Sequence, residues 1–121
     1  MKKPKKIICK RAYEEPSADD GYRALVDRIW PRGIKKSELQ LDGWHKELAP
    51  STELRKWFNH EPQLWSGFTQ KFHKELSSQK DTIKQLLTDC DGKILTLIYA
   101  ASDTKHNNAL ALKKYIDHQL K

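Results

Sequence analysis

Glycine and cysteine are both scarce in this chain of 121 residues, and the short signatures they build are missing. The five glycines form neither a GxGxxG dinucleotide loop nor a GxxxxGK[ST] phosphate loop. No GxSxG nucleophile elbow is present. The two cysteines, Cys9 and Cys90, are far apart and make no CxxC pair. P-loop nucleotide hydrolysis and thiol redox chemistry therefore lose weight. Both cysteines lie in apolar segments and are expected to be buried free thiols, which fits a reducing cytoplasm. No apolar run approaches the ~20 residues a membrane span needs, and none of secretory length follows the basic start. A cytoplasmic location without a membrane partner is the expectation.

Acidic residues are also absent from the first part of the chain. The formal charge is +7, from 23 basic and 16 acidic residues. Lys2, Lys3, Lys5, Lys6, Lys10 and Arg11 all precede the first acid, Glu14, so the rest of the chain is nearly balanced. The basic character belongs mostly to the amino end. Such an end suits either contact with nucleic acid or a solvated terminus. Residues 1–5 are read as a flexible basic terminus of one α/β domain spanning 1–121, a length that suits one domain better than two.

The residues present give a clear alternation of elements. Ile7 to Tyr13 reads as a first strand, followed by a polar loop to Asp20-Gly21. Tyr22 to Arg28 reads as a second, with a continuous apolar run that favours burial on both faces. Trp30-Pro31-Arg32-Gly33 breaks it. Ile34 to Gln40 suggests a short helical turn, and Leu41 to Leu48 a brief strand or an irregular crossing. Ser51 is a credible N-cap for a helix to about Asn59. Pro62 opens an amphipathic helix to about residue 77, striped by Leu64, Trp65, Phe68, Phe72 and Leu76. Asp81 to Cys90 continues as a separate helix ended by Asp91-Gly92. Lys93 to Ala100 is the strongest strand pattern, and a last helix spans about 106–119. The expected fold class is α/β, a compact three-layer sandwich with a small, mainly parallel sheet.

In parallel α/β sheets, ligands sit outside the carboxyl ends of the strands. Applied here, the rule gathers Arg11, Tyr13, Asp27, Arg28, Ser102 and Asp103. Arg28 and Arg32 are the leading anion ligands, because a guanidinium fork matches phosphate or carboxylate. They are equally suited to structural pairing with Asp27 or Asp42. Asp27 is either a proton-handling group or the partner of an arginine, and burial and Arg28 would shift its pKa in opposite directions. Asp103 has the same two roles, plus that of capping the last helix. His106 and Asn107 stand at that helix start, where backbone N–H groups favour an anion. His106 could transfer a proton. Trp30 and Trp44 are candidates for stacking on a planar ligand, or for closing loops over the core. Asp27, Asp103 and His106 thus form the candidate catalytic set. Arg11, Arg28, Trp30, Arg32, Trp44 and Asn107 form the candidate ligand-binding set. No metal site is expected, since Asp103-x-x-His106 has no near third ligand, with His45 and His60 only distal possibilities. His73 is expected on the surface. No cofactor is assigned.

Several segments together closely resemble the bacterial and archaeal domain-of-unknown-function family numbered 488, in its short single-domain branch. They are Asp20-Gly21-Tyr22-Arg23, Leu25-Val26-Asp27-Arg28-Ile29-Trp30-Pro31-Arg32-Gly33, and Trp44-His45-Lys46-Glu47-Leu48-Ala49-Pro50-Ser51. Leu54-Arg55-Lys56-Trp57-Phe58 with His60-Glu61-Pro62 also fits, as does Leu97-Ile98-Tyr99-Ala100-Ala101 with Asp103, His106 and Asn107. The resemblance implies a compact α/β domain without a settled activity. A MarR-like regulator label attached to some members needs a winged-helix pattern that this chain lacks. Longer relatives tend to carry a Cys-His-Arg cluster after the last strand. Here that region reads His106-Asn107-Asn108 without the cysteine, and a thiol mechanism is not carried over.

The resulting expectation is a protein that binds a phosphorylated or otherwise anionic small molecule, with enzymatic turnover left open. In an enzyme, Asp27, Asp103 or His106 would handle a proton, and Arg28 and Arg32 would stabilise negative charge. The alternative is a nucleic-acid or protein interaction module that uses the basic amino end. Self-association is not decided by the sequence.

Overall fold

Strand β4 (Leu95–Tyr99) is buried at all five positions, so it needs cover on both faces and a partner on both edges. In a computed structural model describing residues 2–121, it has both. β1 (Ile7–Arg11) pairs along one edge, with Ile7 opposite Leu95 and Arg11 opposite Tyr99. β2 (Tyr22–Leu25) pairs along the other, with Tyr22 opposite Leu95 and Leu25 opposite Ile98. The two-residue β3 (Gly43–Trp44) completes the order β1-β4-β2-β3, and every pairing is parallel. Met1, part of the expected basic terminus, lies outside the described residues. Lys5 donates its backbone N–H to Lys93 at 3.1 Å, and Lys2 makes an exposed ion pair with Asp91 at 3.4 Å.

Parallel neighbours require crossovers, and these supply the layers. One face of the sheet is covered by α2 (Thr52–Phe58), α3 (Trp65–Leu76), α4 (Lys80–Cys90) and α5 (Asn108–Gln119). Their apolar stripes, including Phe68, Phe72, Leu86, Leu112 and Ile116, join Ala24, Leu95 and Leu97 in the main core. The other face has a thinner cover. There Leu39 of the one-turn α1 (Lys36–Leu39) meets Ala12, Leu25 and Ile98, with Trp30, Ile34 and Leu41 at the margin. The α/β sandwich with a small parallel sheet is therefore present, with unequal outer layers.

Local chemistry sets the element ends. Ser51 caps α2 by accepting the N–H of Leu54 at 3.1 Å, and Asn59 ends that helix in the left-handed region at φ 48°. The segment expected as one helix from Pro62 begins as a 3₁₀ turn over Pro62–Leu64 and becomes α-helical at Trp65. The segment from Leu41 to Leu48 combines both readings, since β3 is followed by a 3₁₀ turn at Lys46–Leu48. The second strand is shorter than expected. The Val26 N–H still reaches the Ile98 carbonyl at 3.0 Å, but the next acceptor for β4 is a side chain: the Asp27 carboxylate takes the N–H of Ala100 at 2.9 Å. The last helix starts at Asn108, because Asn107 is its N-cap and accepts the N–H of Leu110 at 3.0 Å. His73, expected on the surface, is half-buried against Tyr115 and donates Nε2–H to the Ala111 carbonyl at 2.8 Å.

Candidate functional site

Because all four strands run the same way, their carboxyl ends and the start of α5 lie at one edge of the sheet. A cleft of about 390 Å³ opens there. Asp27, Arg28, Trp30 and Arg32 reach it from the loop after β2, Ala100 and Ala101 from the end of β4, and His106, Asn107 and Asn108 from the approach to α5. Tyr13 after β1, Arg55 of α2 and His60 just beyond it add to the polar lining, over Phe58 and Phe68.

Asp27 ties these parts together. Its Oδ2 accepts the Ala100 N–H at 2.9 Å, its Oδ1 accepts Asn108 Nδ2–H at 3.0 Å, and its carbonyl accepts Trp44 Nε1–H at 2.7 Å. Burial pushes the Asp27 carboxyl above its ordinary pKa; the two hydrogen bonds and the Arg55 charge oppose that without cancelling it. The opposing cation is thus Arg55, not the adjacent Arg28.

The arginines themselves lack carboxylate partners. Among the described residues, neither Arg28, Arg32 nor Arg55 has an acidic oxygen within 4.0 Å. The pairing of Arg28 or Arg32 with Asp27 or Asp42 does not occur. Asp42 instead accepts the backbone N–H of Arg23 at 2.8 Å. Arg28 makes one long contact, 3.5 Å, to the Ala49 carbonyl.

His106 is held from behind. Its Nδ1 lies 3.0 Å from Asp103 Oδ2, and its ring meets Trp65 edge-on with centroids 5.5 Å apart. Asp103 Oδ1 accepts the N–H groups of Lys105 and His106 at 2.8 and 3.0 Å. Those hydrogen bonds, led by that of Lys105, hold the Asp103 carboxyl below its ordinary pKa.

Three expected site residues lie outside the lining, and two within it have their polar groups engaged. Arg11 lies outside the cleft lining, with Nε and Nη2 donating to the Ala101 and Ala100 carbonyls at 2.9 and 3.3 Å. Trp44 also lies outside, fixed by its bond to Asp27 and covered by Lys46, whose Nζ is 4.1 Å from the ring centroid. Asp103 stands behind His106 rather than in the lining. Asn107 lines the cleft, but its carboxamide is consumed by the cap to Leu110 and by a bond to the Asp103 carbonyl. Trp30 lines the cleft with its Nε1–H committed to the Ile34 carbonyl at 2.7 Å. Arg55 and Asn108 were not singled out by sequence reasoning. Arg55 reads as a solvated helix position, and nothing in its spacing connects it to Asp27. Asn108 stood in view beside His106, but its contact with Asp27 is long-range.

Among the described residues no cluster of three His, Cys, Asp or Glu side chains could hold a metal ion, and no helix is long and apolar enough to cross a membrane.

Fold and cleft together define a small parallel α/β protein with an arginine-bearing cleft at the carboxyl edge of its sheet. The chain belongs to the DUF488 family, and within it to the group described as the inactive DUF488-N3 subclade, matched over residues 6–121. It is 46% identical over 110 residues to the uncharacterized protein YeaO of Escherichia coli strain K12, covering 91% of this chain and 96% of that one. It is 32% identical over 117 residues to the uncharacterized protein Rv3073c of Mycobacterium tuberculosis strain H37Rv, covering 97% and 98%. No solved structure matches it.

Proposed function

We propose that this protein binds a phosphorylated or otherwise anionic small molecule in the cleft at the carboxyl edge of its sheet. The observation that carries the reading is that Arg28, Arg32 and Arg55 line one concave site and, among the described residues, none of them is ion-paired with a carboxylate within 4.0 Å; the one carboxylate in the lining, Asp27, is tied to Ala100 and Asn108 instead. Guanidinium groups left unpaired at a cleft suit an oxyanion, which they grip through parallel N–H donors. The volume falls at the small end of ligand pockets, which run from about 300 to 1,000 Å³. One small molecule fits such a space.

Binding rather than turnover is the core of the proposal. The subclade is described as inactive, and the region after β4 carries no cysteine to act as nucleophile. The Asp103–His106 pair would be the acid–base group in an enzyme, but capture of the anionic group by the arginines does not depend on it.

The interaction-module alternative draws less support from the geometry. Lys2, Lys3, Lys5 and Lys6 of the basic amino end precede β1, at the amino edge of the parallel sheet and across the molecule from the cleft arginines, while Arg11 at the other end of β1 spends its guanidinium on the Ala100 and Ala101 carbonyls. Those four lysines do not extend the cleft into one basic face.

The test is an NMR titration of the labelled protein with inorganic phosphate. Saturable shifts in Arg28, Arg55, Ala100 and His106 are expected, with at least tenfold weaker binding in the Arg28→Ala/Arg55→Ala double variant. Shifts confined to residues 2–6, or none at millimolar phosphate, overturn the reading.

A further inference from the structure

The arginines are only one wall of the cleft. We infer that the ligand is a phosphate monoester of a polyhydroxy compound, whose hydroxyl groups are received by Asp27 and His106. This rests on the anion-binding reading and specifies the rest of the molecule.

A simple inorganic anion would not need the other wall. Asp27 shares the cleft with the arginines yet is not their ion-pair partner. Each of its oxygens accepts one N–H, from Ala100 and from Asn108, and each retains a further lone pair. An ionised carboxylate repels a second anion and accepts from hydroxyl or amino donors. His106 adds an acceptor of the same kind. When the proton on Nδ1 is shared with Asp103 and Nε2 carries none, Nε2 offers a bare lone pair to the cleft. Among the described residues Nε2 makes no hydrogen bond. Two acceptors and three cations therefore line one cleft, and the matching ligand carries both an anionic group and separate hydroxyl donors.

The floor limits what joins them. Phe58 and Phe68 pack against each other with centroids 4.5 Å apart and planes inclined by 30°, and, nearly buried, they offer the cleft only a small apolar floor. The C–H groups of a sugar suit such a floor while its hydroxyls point to the acceptors. Carbohydrate phosphates and nucleoside monophosphates share that chemistry, and the volume admits either.

Calorimetry on the intact protein separates the possibilities, with inorganic phosphate, phenyl phosphate, ribose 5-phosphate, adenosine 5′-monophosphate and ribose as probes. Ribose 5-phosphate is expected to bind at least tenfold more tightly than inorganic phosphate and than phenyl phosphate. If adenosine 5′-monophosphate binds more tightly still, the ligand is a nucleotide; if it binds equally or more weakly, the ligand is a free sugar phosphate. Asp27→Asn is expected to narrow the ratio of ribose 5-phosphate to phosphate affinity. If that variant does not fold, His106→Leu makes the same test. Equal affinities for ribose 5-phosphate, phenyl phosphate and inorganic phosphate overturn the inference but leave the anion site standing. Absence of binding by all the phosphates removes both.

Discussion

Oδ1 of Asp27 lies 3.0 Å from Nδ2 of Asn108, joining the loop after β2 to the first turn of α5. The same Asn108 amide also reaches the Val26 carbonyl at 3.1 Å. Asn108→Ala removes both bonds and leaves a desolvated carboxylate short of a donor, a loss of about 1–3 kcal/mol. Asn108→Asp should be worse at neutral pH, because it sets a second carboxylate against the first. Urea unfolding of the two variants at pH 7 and pH 5 tests this. The gap between them should shrink at the lower pH; an Asp variant as stable as the Ala variant at pH 7 would show that Asp27 is not ionised there.

Asp27 and Asp20 should titrate on opposite sides of the ordinary carboxyl value. Burial raises Asp27. Burial also acts to raise Asp20, but the Ser17 N–H, Lys10 and Arg23 outweigh it and the net shift is downward. For Asp27 the folded pKa exceeds the unfolded one, so its ionisation costs stability as pH rises from the unfolded value through the folded one. For Asp20 the stabilisation is complete above the unfolded pKa and is lost as pH falls through the lowered folded value. Carboxyl carbon NMR against pH measures both, and Arg55→Ala should raise Asp27 further. An Asp27 midpoint at or below 3.8, the ordinary value, contradicts the account.

The fold was more legible in the sequence than the cleft. Leu95 to Tyr99 is apolar enough to announce a two-sided strand, and Ser51 and Pro62 mark helix starts by local hydrogen-bonding rules. Such signals depend on near neighbours along the chain. The carboxyl-edge rule likewise brought Asp27, Arg28 and His106 to one place, because parallel strands make it depend only on direction. Arg55 escaped because its charge acts on a residue distant in sequence. Arg11 falls outside the cleft lining for a related reason: whether a polar side chain faces a ligand or a backbone carbonyl depends on which carbonyls the folded loop leaves unpaired. The thinness of the sheet's second cover was equally unreadable, since it arises from a one-turn helix and a charged network beneath it.

That network should be costly to break. Arg23 is buried and paired with Asp20 at 2.5 Å, while Lys10 reaches the same carboxylate at 3.1 Å. The guanidinium also donates to the carbonyls of Leu39 and Gln40 at the end of α1, at 2.8 and 3.1 Å. Arg23→Met removes the ion partner of Asp20 and the N–H donors to both carbonyls together, a loss of about 3–5 kcal/mol. Lys10→Met leaves Asp20 with Arg23 and should cost clearly less. Chemical denaturation ranks them. Near-equal losses would mean that the carbonyl contacts to α1 contribute little.

Two glycines with positive φ offer a sharper contrast, because only one is crowded. Gly21 (φ 64°) leads into β2, where the Tyr22 N–H bonds to the Ile94 carbonyl at 2.8 Å. That bond draws the Ile94 oxygen over Gly21, and a Cβ there would collide with it. Gly33 (φ 80°) has nothing within 4 Å of the same position. Gly33→Ala therefore meets backbone strain alone, about 1–2 kcal/mol. Gly21→Ala meets that strain plus displacement of a backbone carbonyl, about 3 kcal/mol or more. Since the displaced carbonyl belongs to the first ladder bond between β2 and β4, amide exchange should accelerate at Tyr22 in Gly21→Ala and stay unchanged there in Gly33→Ala. Equal destabilisation by the two substitutions would place the cost in φ, not in the approach of β4.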